Sequence, residues 1–247
     1  MKEAILFPSP PITEALIDVR VTLPKEVTIE QLETFQEDIK TSFPIKKPRF
    51  TGEFKIKMGA APEVVTTSNR NDGFLFHSQD GKKIVQARLD GFTFNKLKPY
   101  SNWEVFSSEA KYLWGHYLAV VKPINVVRLA LRYINRIELP LPFQDFKEYI
   151  LTMPEIALGI PNGLSGFFTQ LTIQNPEISA QANIIERIER TTPDKGTLPF
   201  ILDIDVFRNI ILESSSGEIW DIFNQLRNFK NQIFLNSLTD KTKELFK

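Results

Sequence analysis

Residues 86–97, QARLDGFTFNKL, contain two runs of alternating apolar and polar side chains, separated by Asp90-Gly91. Alternation with a period of two is typical of a β-strand that buries one face. An Asp-Gly pair between two such runs favours a tight hairpin turn, because glycine tolerates the positive φ angles that this turn needs. The segment therefore predicts antiparallel pairing of two strands, and it contains no catalytic or phosphate-binding motif.

The order of strand and helix patterns occurs twice along the chain. In residues 1–123 a strand at 12–23 precedes a helix, several strands and a second helix, and residues 124–247 repeat that order without repeating the residues. A short helix at 143–153 takes the first helical place in the second unit. Pairs with capping-box spacing mark three helix starts: Thr28 and Gln31, Ser101 and Glu104, and Ser215 and Glu218.

This order predicts an α+β fold, in which antiparallel sheet is covered by helices on one face. Two arrangements fit it equally. One is a long curved sheet that grips the helices, and the other is a pair of small α+β halves, 1–123 and 124–247, side by side. We expect the two units to form one compact domain.

The strand at 126–139 places three arginines on one face, at Arg128, Arg132 and Arg136. Neighbours in this row are about 13 Å apart at the rise of a strand. Arginine binds carboxylate or phosphate with two parallel hydrogen bonds, so the row could bind an anionic partner. The alternative is a solvated sheet face with charges paired across strands. There are three further candidates: Arg88, which shares a strand face with Asp90, and Asp203 and Asp205, which share a face of a later strand.

Composition and motifs exclude several classes of function. The chain has 30 basic and 30 acidic residues, so it lacks the basic excess typical of proteins that coat nucleic acid. It contains no cysteine, which excludes disulfides, thiol catalysis and thiolate metal sites. It has no Walker loop, no Gly-x-Gly-x-x-Gly and no HExxH. We therefore expect no cofactor.

Two weaker patterns leave alternatives open. Asp203 and Asp205 form an Asp-x-Asp pair on one strand face, as in sites where two carboxylates hold Mg²⁺. Phe92 and Phe94 share a strand face with Lys96, and an exposed version of that pattern could stack on bases. The N-terminus lacks a signal peptide pattern and no run of residues is apolar enough to span a membrane. We therefore expect a cytoplasmic protein without a membrane partner.

Several short motifs together resemble a sporadically distributed bacterial family of proteins of similar length. The family shows a Pro-Pro-x-x-Glu start, a strand ending in Asn and a basic residue, a following Tyr, and a Tyr-x-Asn-Arg strand. The usual Trp-Gly near the family's C-terminus has no counterpart here. The matching residues are Pro10, Pro11, Glu14, Asn95, Lys96, Tyr100, Tyr133, Asn135 and Arg136.

The resemblance implies no particular activity, but the family's patchy distribution is similar to that of phage-defence and toxin–antitoxin genes. Our first expectation is a non-enzymatic, protein-binding role, and we interpret the Asn residues as structural pins. Nucleic-acid binding through the arginine row is the second, and a metal-dependent enzyme using Asp203 and Asp205 is the third. A small ligand held between sheet and helix is a fourth option. An exposed sheet edge also makes a homodimer an option.

Overall fold

The computed structural model describes residues 7–57, 63–157, 159, 166–189 and 196–247, with side chains left undescribed at 53–69. Over these residues the chain forms nine β-strands and four α-helices. The strands are Ile12–Thr22 (β1), Ile45–Lys57 (β2), Glu63–His77 (β3), Lys83–Arg88 (β4), Gly91–Leu97 (β5), Asn125–Pro140 (β6), Phe168–Asn175 (β7), Ala180–Ile188 (β8) and Thr197–Glu213 (β9). The helices are Ile29–Ile39 (α1), Trp103–Val121 (α2), Glu218–Ser237 (α3) and Asp240–Glu244 (α4).

All nine strands belong to one antiparallel sheet in the order β2-β3-β4-β5-β1-β6-β9-β8-β7. The prediction of a mixed chain with a large antiparallel sheet is confirmed. In each half, the last strand of a series of hairpins pairs with the first strand of that half. Thus β5 pairs with β1, and β9 pairs with β6. The two halves meet where β1 pairs with β6. One continuous sheet therefore joins the described parts of the two units, 1–123 and 124–247.

The predicted turn at Asp90-Gly91 joins β4 to β5, as the alternating runs on either side of it indicated. Gly91 has a φ of 155°, and a Cβ atom there would lie 2.2 Å from the backbone oxygen of Val19 on β1. Only glycine fits so close an approach of two strands, because any side chain begins with that atom. The turn thus positions β5 against β1 as well as against β4.

The three capping-box predictions have different outcomes. Thr28 does precede α1, and its backbone N–H donates to the Gln31 side chain at 3.0 Å. For α2 the prediction was wrong by one residue, since Asn102 accepts from the N–H of Val105 at 2.8 Å. Asn is as good an N-cap as Ser, so either residue could have started the helix.

The start of α3 also differs from the predicted Ser215 and Glu218 box. The Ser215 hydroxyl donates to Glu213 at 2.7 Å, so it is engaged with the end of β9. Ser216 instead accepts from the N–H of Glu218, at 3.2 Å. Ser215 bonds to Glu213 at the end of β9 and does not cap the helix, and α3 begins at Glu218.

The predicted helix at 143–153 was wrong, and only a 3₁₀ turn at Phe146–Glu148 forms there. The ring of Phe143 packs against those of Phe146 and Tyr149, so the three side chains form one aromatic cluster. Ile150 then forms an antiparallel bridge with Leu238, just after α3. Backbone pairing of Ile150 draws the chain into an extended path, so the second unit lacks the first helix of the predicted repeat.

The core lies on one face of the sheet, beneath α1, α2 and α3. Phe35 of α1 packs on Phe76 of β3, and Phe106 of α2 packs on Tyr133 of β6. Phe92 and Phe94 are fully buried in this layer, so they cannot stack on bases. We call this the inner face and the opposite one the outer face. None of the described helices is long and apolar enough to cross a membrane.

Candidate functional site

Arg88 lies almost fully buried on the outer face, although no helix of the described chain packs over it. The strand register places it between Gly73 of β3 and Gly91 of β5. Neither neighbour has a side chain, and the guanidinium reaches across Gly91, where an added Cβ would lie 3.0 Å from Nη2. Its Nε donates to Asp90 at 2.8 Å and its Nη2 to Asp18 at 2.8 Å. Two glycines therefore make the space in which an arginine can lie flat on the sheet.

Asp18 of β1 accepts hydrogen bonds from four partners on the outer face. Arg88 and Thr93 donate to its Oδ2 at 2.8 and 2.7 Å, and Arg20 and Arg128 to its Oδ1 at 3.1 and 3.4 Å. Burial alone would raise the pKa of Asp18, but Arg88, Thr93 and Arg20 outweigh it and hold that pKa below its ordinary value. The carboxylate is thus kept ionised at the centre of an arginine cluster.

The predicted arginine row lies on the outer face, and its first two members are paired with the two predicted aspartates. Arg132 binds Asp203 through two bonds, at 2.8 Å from Nε and 2.5 Å from Nη2. Arg128 lies 3.5 Å from Asp205 and 4.5 Å above the ring of Phe207. Because each aspartate faces a guanidinium, the pair is poorly placed to hold a metal ion. Within the described ranges no three His, Cys, Asp or Glu residues come together as metal ligands.

Arg136 completes the row at the end of β6. It donates to Glu138 at 2.8 Å, and its Nη1 also bonds to Glu189. Its guanidinium, like those of Arg88, Arg128 and Arg132, faces carboxylates of the same chain. The structure therefore brings the predicted site residues together on the outer face, but as a network of internal ion pairs.

The motif residues behind the family resemblance make polar contacts at one end of the central strands. Asn95 donates to Glu14 at 2.6 Å, and the hydroxyls of Tyr100 and Tyr133 are 2.8 Å apart. Asn135 is buried and donates to the backbone oxygen of Leu202 on β9 at 2.9 Å. These bonds join β5 to β1 and β6 to β9, which agrees with our interpretation of the two asparagines as structural pins.

Lys230 of α3 is a buried cation that sequence reasoning missed. Its ammonium lies 4.0 Å above the ring of Tyr133, and no ion pair to it occurs among the described residues. Burial, with repulsion from Arg227, lowers the pKa of Lys230 to about 7. The sequence did contain a signal of this burial, because Lys230 lies between Leu226 and Ile233 on the apolar stripe of α3.

A groove on the inner face, near the β7 edge of the sheet, was also missed. Its volume is about 540 Å³, and it runs between the C-terminal half of α3 and strands β7 and β8. Leu171 and Ile173 form its floor, where they remain 39% and 37% exposed. Phe229 and Ile233 of α3 line the wall. Apolar side chains that would be covered elsewhere in the sheet are thus open to a partner here.

Charge is nearly absent from this groove. Among the described residues that line it, Glu177, which follows β7, is the only charged one. The described chain between Arg227 and Thr239 contains one further charged residue, Lys230, which is buried. The outer face is therefore rich in paired charges, whereas the described lining of the β7–α3 groove is a mixture of apolar and neutral polar side chains with one carboxylate.

Comparison of the chain with protein-family models and with curated proteins found no match. Membership of the family that the motifs resemble therefore stays a prediction. Two surfaces of the fold could bind a partner, namely the charged outer face and the β7–α3 groove.

Proposed function

We propose that the protein is a non-enzymatic binding protein that holds a segment of another protein in the β7–α3 groove. The observation that carries the proposal is a half-exposed apolar floor, where Glu177 is the single charged residue among the described residues of the lining. Depletion of charge and enrichment of apolar side chains characterise the buried centre of protein–protein interfaces. Exposed apolar patches on otherwise polar surfaces are likewise a mark of interaction sites.

The groove also favours one chemistry of partner. A segment with an apolar face can cover Leu171 and Ile173, and its polar edge can bond to the neutral amides of Gln174, Gln232 and Asn236. A strongly charged segment would lose hydration there without gaining an opposite charge. The partner is therefore an amphipathic segment with an uncharged contact face.

Nucleic-acid binding and metal-dependent catalysis have less support on the outer face. The charges of Arg128, Arg132 and Arg136 are already met by carboxylates of the same chain. Arg132 and Arg128 pair with Asp203 and Asp205, the carboxylates that a metal ion would need. A role in phage defence or toxin control rests on the family resemblance and remains a prediction.

Site-directed photo-cross-linking in cells tests the proposal. A photoreactive residue at Gln232, which lines the groove, is compared with one at Gln225, two turns earlier on the same stripe of α3. We expect an adduct with another protein from position 232 only, and its loss when Ile173→Glu places a charge on the groove floor. The same adducts from both positions, or adducts that persist in Ile173→Glu, would overturn the proposal.

A further inference from the structure

The two edges of the sheet, β2 and β7, differ sharply in charge. β2 has the sequence IKKPRFTGEFKIK, with five basic residues and Pro48, which cannot donate a backbone hydrogen bond. Lysine and proline on an edge strand are the usual protection against pairing with another chain. β7 has the sequence FTQLTIQN, which contains no charged residue, no proline and no glycine. One edge is thus protected against pairing and the other is open to it.

The absence of charged residues from β7 favours pairing of this strand with its own copy. When a strand pairs antiparallel with its own copy about a twofold axis, residues near the axis face themselves or their close neighbours. Like charges that face each other across strands are destabilising, so any charge near the axis would oppose the pairing. A strand that pairs with a different protein escapes this restriction and can use complementary charges for recognition. An entirely neutral β7 therefore fits a second copy of itself.

The surroundings of β7 support the same partner. On the outer face its neighbours in β8 include Asn183, which accepts from Thr172 at 2.9 Å, and on the inner face Ile184 lies beside Leu171. The nearest charged side chain on β8 is Glu186, which faces Thr169, is fully buried and accepts a hydrogen bond from Thr152. The next one, Arg187, pairs with Glu189 at 2.8 Å. A second copy can thus approach the middle of β7 without meeting its own charge.

We propose that β7 pairs antiparallel with β7 of a second copy, about a twofold axis perpendicular to the sheet. This symmetry keeps the helices of both copies on the same side and aligns the two inner faces. An axis at Leu171 or at Thr172 satisfies it and pairs nearly the whole strand. Because both copies use the same edge, the assembly closes as a dimer, and β2 remains at each outer end.

The dimer would also enlarge the binding site, and this consequence rests on the proposed function. The two β7 floors become adjacent, with the α3 helix of each copy as a wall. Each α3 packs over β9 and β6, and the two β9 strands would be about 24 Å apart at ordinary strand spacing. Two helices of about 10 Å diameter then leave a channel at least about 14 Å wide, which is enough for one further helix. Each copy thus supplies one wall and half the floor of a site for an amphipathic helix.

Light scattering and sedimentation of the full chain test the dimer. The wild type is expected at twice 28.4 kDa at micromolar concentration, and Thr172→Lys and Thr172→Glu are each expected at 28.4 kDa. Mixing the two variants should restore the doubled mass, because Lys and Glu then meet near the axis. The matched control is Thr51→Lys and Thr51→Glu on the protected edge β2, where the mass should stay that of the wild type.

A monomeric wild type would overturn the proposal. So would Thr172 variants that remain dimeric, or a folded Lys and Glu mixture that stays monomeric, with folding checked by circular dichroism. The cross-linking result at Gln232 is read separately in the monomeric Thr172 variants, since each copy retains its own groove. A groove adduct without a dimer would refute this inference alone, and a dimer without an adduct would refute the proposed function alone.

Discussion

The guanidinium of Arg88 lies 2.8 Å from the carboxylate of Asp18, and only 3% of the Arg88 side chain and 10% of the Asp18 side chain are exposed. The two residues are 70 positions apart and lie on β4 and β1, with β5 between them. Thr93 on that intervening strand donates to the same carboxylate oxygen. One buried ion pair therefore spans three strands of the sheet.

Removing the carboxylate from this pair should strongly destabilise the fold. Asp18→Ala leaves Arg88 buried without its buried carboxylate partner, and losing one member of a buried pair costs about 3–5 kcal/mol. Asp90→Ala is the matched control, because Asp90 also accepts from Arg88 but is 53% exposed. We expect a loss below about 1 kcal/mol there. Urea unfolding measures both, and equal losses would contradict the assignment of Asp18 as the central partner.

Lys230 should make stability depend on pH in the alkaline range. Its folded pKa is about 7, whereas an unfolded lysine titrates near 10.4. Between these values the unfolded chain binds the extra proton, so the free energy of unfolding rises with pH, by at most about 1.4 kcal/mol per unit. Lys230→Met removes this group, so the variant should be more stable at pH 7 and should lose that part of the slope.

Lys241 is the control for this prediction, because its ammonium also lies over a tyrosine ring, 4.3 Å from that of Tyr149. Lys241 is half-exposed, and its hydrogen bond to Glu148 raises its pKa. Lys241→Met should therefore give no gain in stability at pH 7. If urea midpoints between pH 7 and 10 change alike in both variants, burial of Lys230 is not the cause.

Paired arginines on the outer face should leave the protein without measurable affinity for nucleic acid. Fluorescence anisotropy with labelled single-stranded and duplex DNA at low salt checks this for the wild type. Replacing Asp203 and Asp205 with Asn frees Arg132 and leaves Arg128 with only Asp18, so affinity should appear and fall steeply as salt is added. Salt-dependent binding by the wild type, lost when Arg128, Arg132 and Arg136 become Ala, would instead support a nucleic-acid partner.

Asn135 should stabilise the pairing of β6 with β9. Asn135→Leu removes the donor to the backbone oxygen of Leu202 and leaves that oxygen buried, at a cost of about 1–3 kcal/mol. Asn209→Leu, at an exposed position on β9, is the control and should change stability by less than about 0.5 kcal/mol. Thermal denaturation compares the two, and an unchanged melting temperature in Asn135→Leu would show that this bond does not hold the strands.

Local chemistry made much of the fold predictable. Alternation and Asp90-Gly91 predicted the β4–β5 hairpin, because both signals lie within a few residues of the turn. The helix predicted at 143–153 failed because Ile150 pairs with Leu238, a contact that no local pattern encodes. The pairing of Asp18 with Arg88 likewise depends on strand order, which the sequence left open.

Part of the groove did leave a signal in the sequence. β7 is a strand pattern without any charge, a property that can be read from FTQLTIQN alone. What could not be read is that β7 forms the edge of the sheet and that α3 stops short of covering it. The burial of Lys230 was partly visible, since it lies on the apolar stripe of α3 and not on its polar side.

Pairing of β1 with β6 also affects the order in which strands can pair while the chain is being translated. Strands β2 to β5 can pair with each other and with β1 as soon as β5 has emerged, because every strand that they pair with precedes Trp103. The other side of β1 must wait for Asn125–Pro140. Until then the nascent chain exposes an unpaired strand edge, so a pause in translation within that interval would prolong its opportunity to associate with other chains.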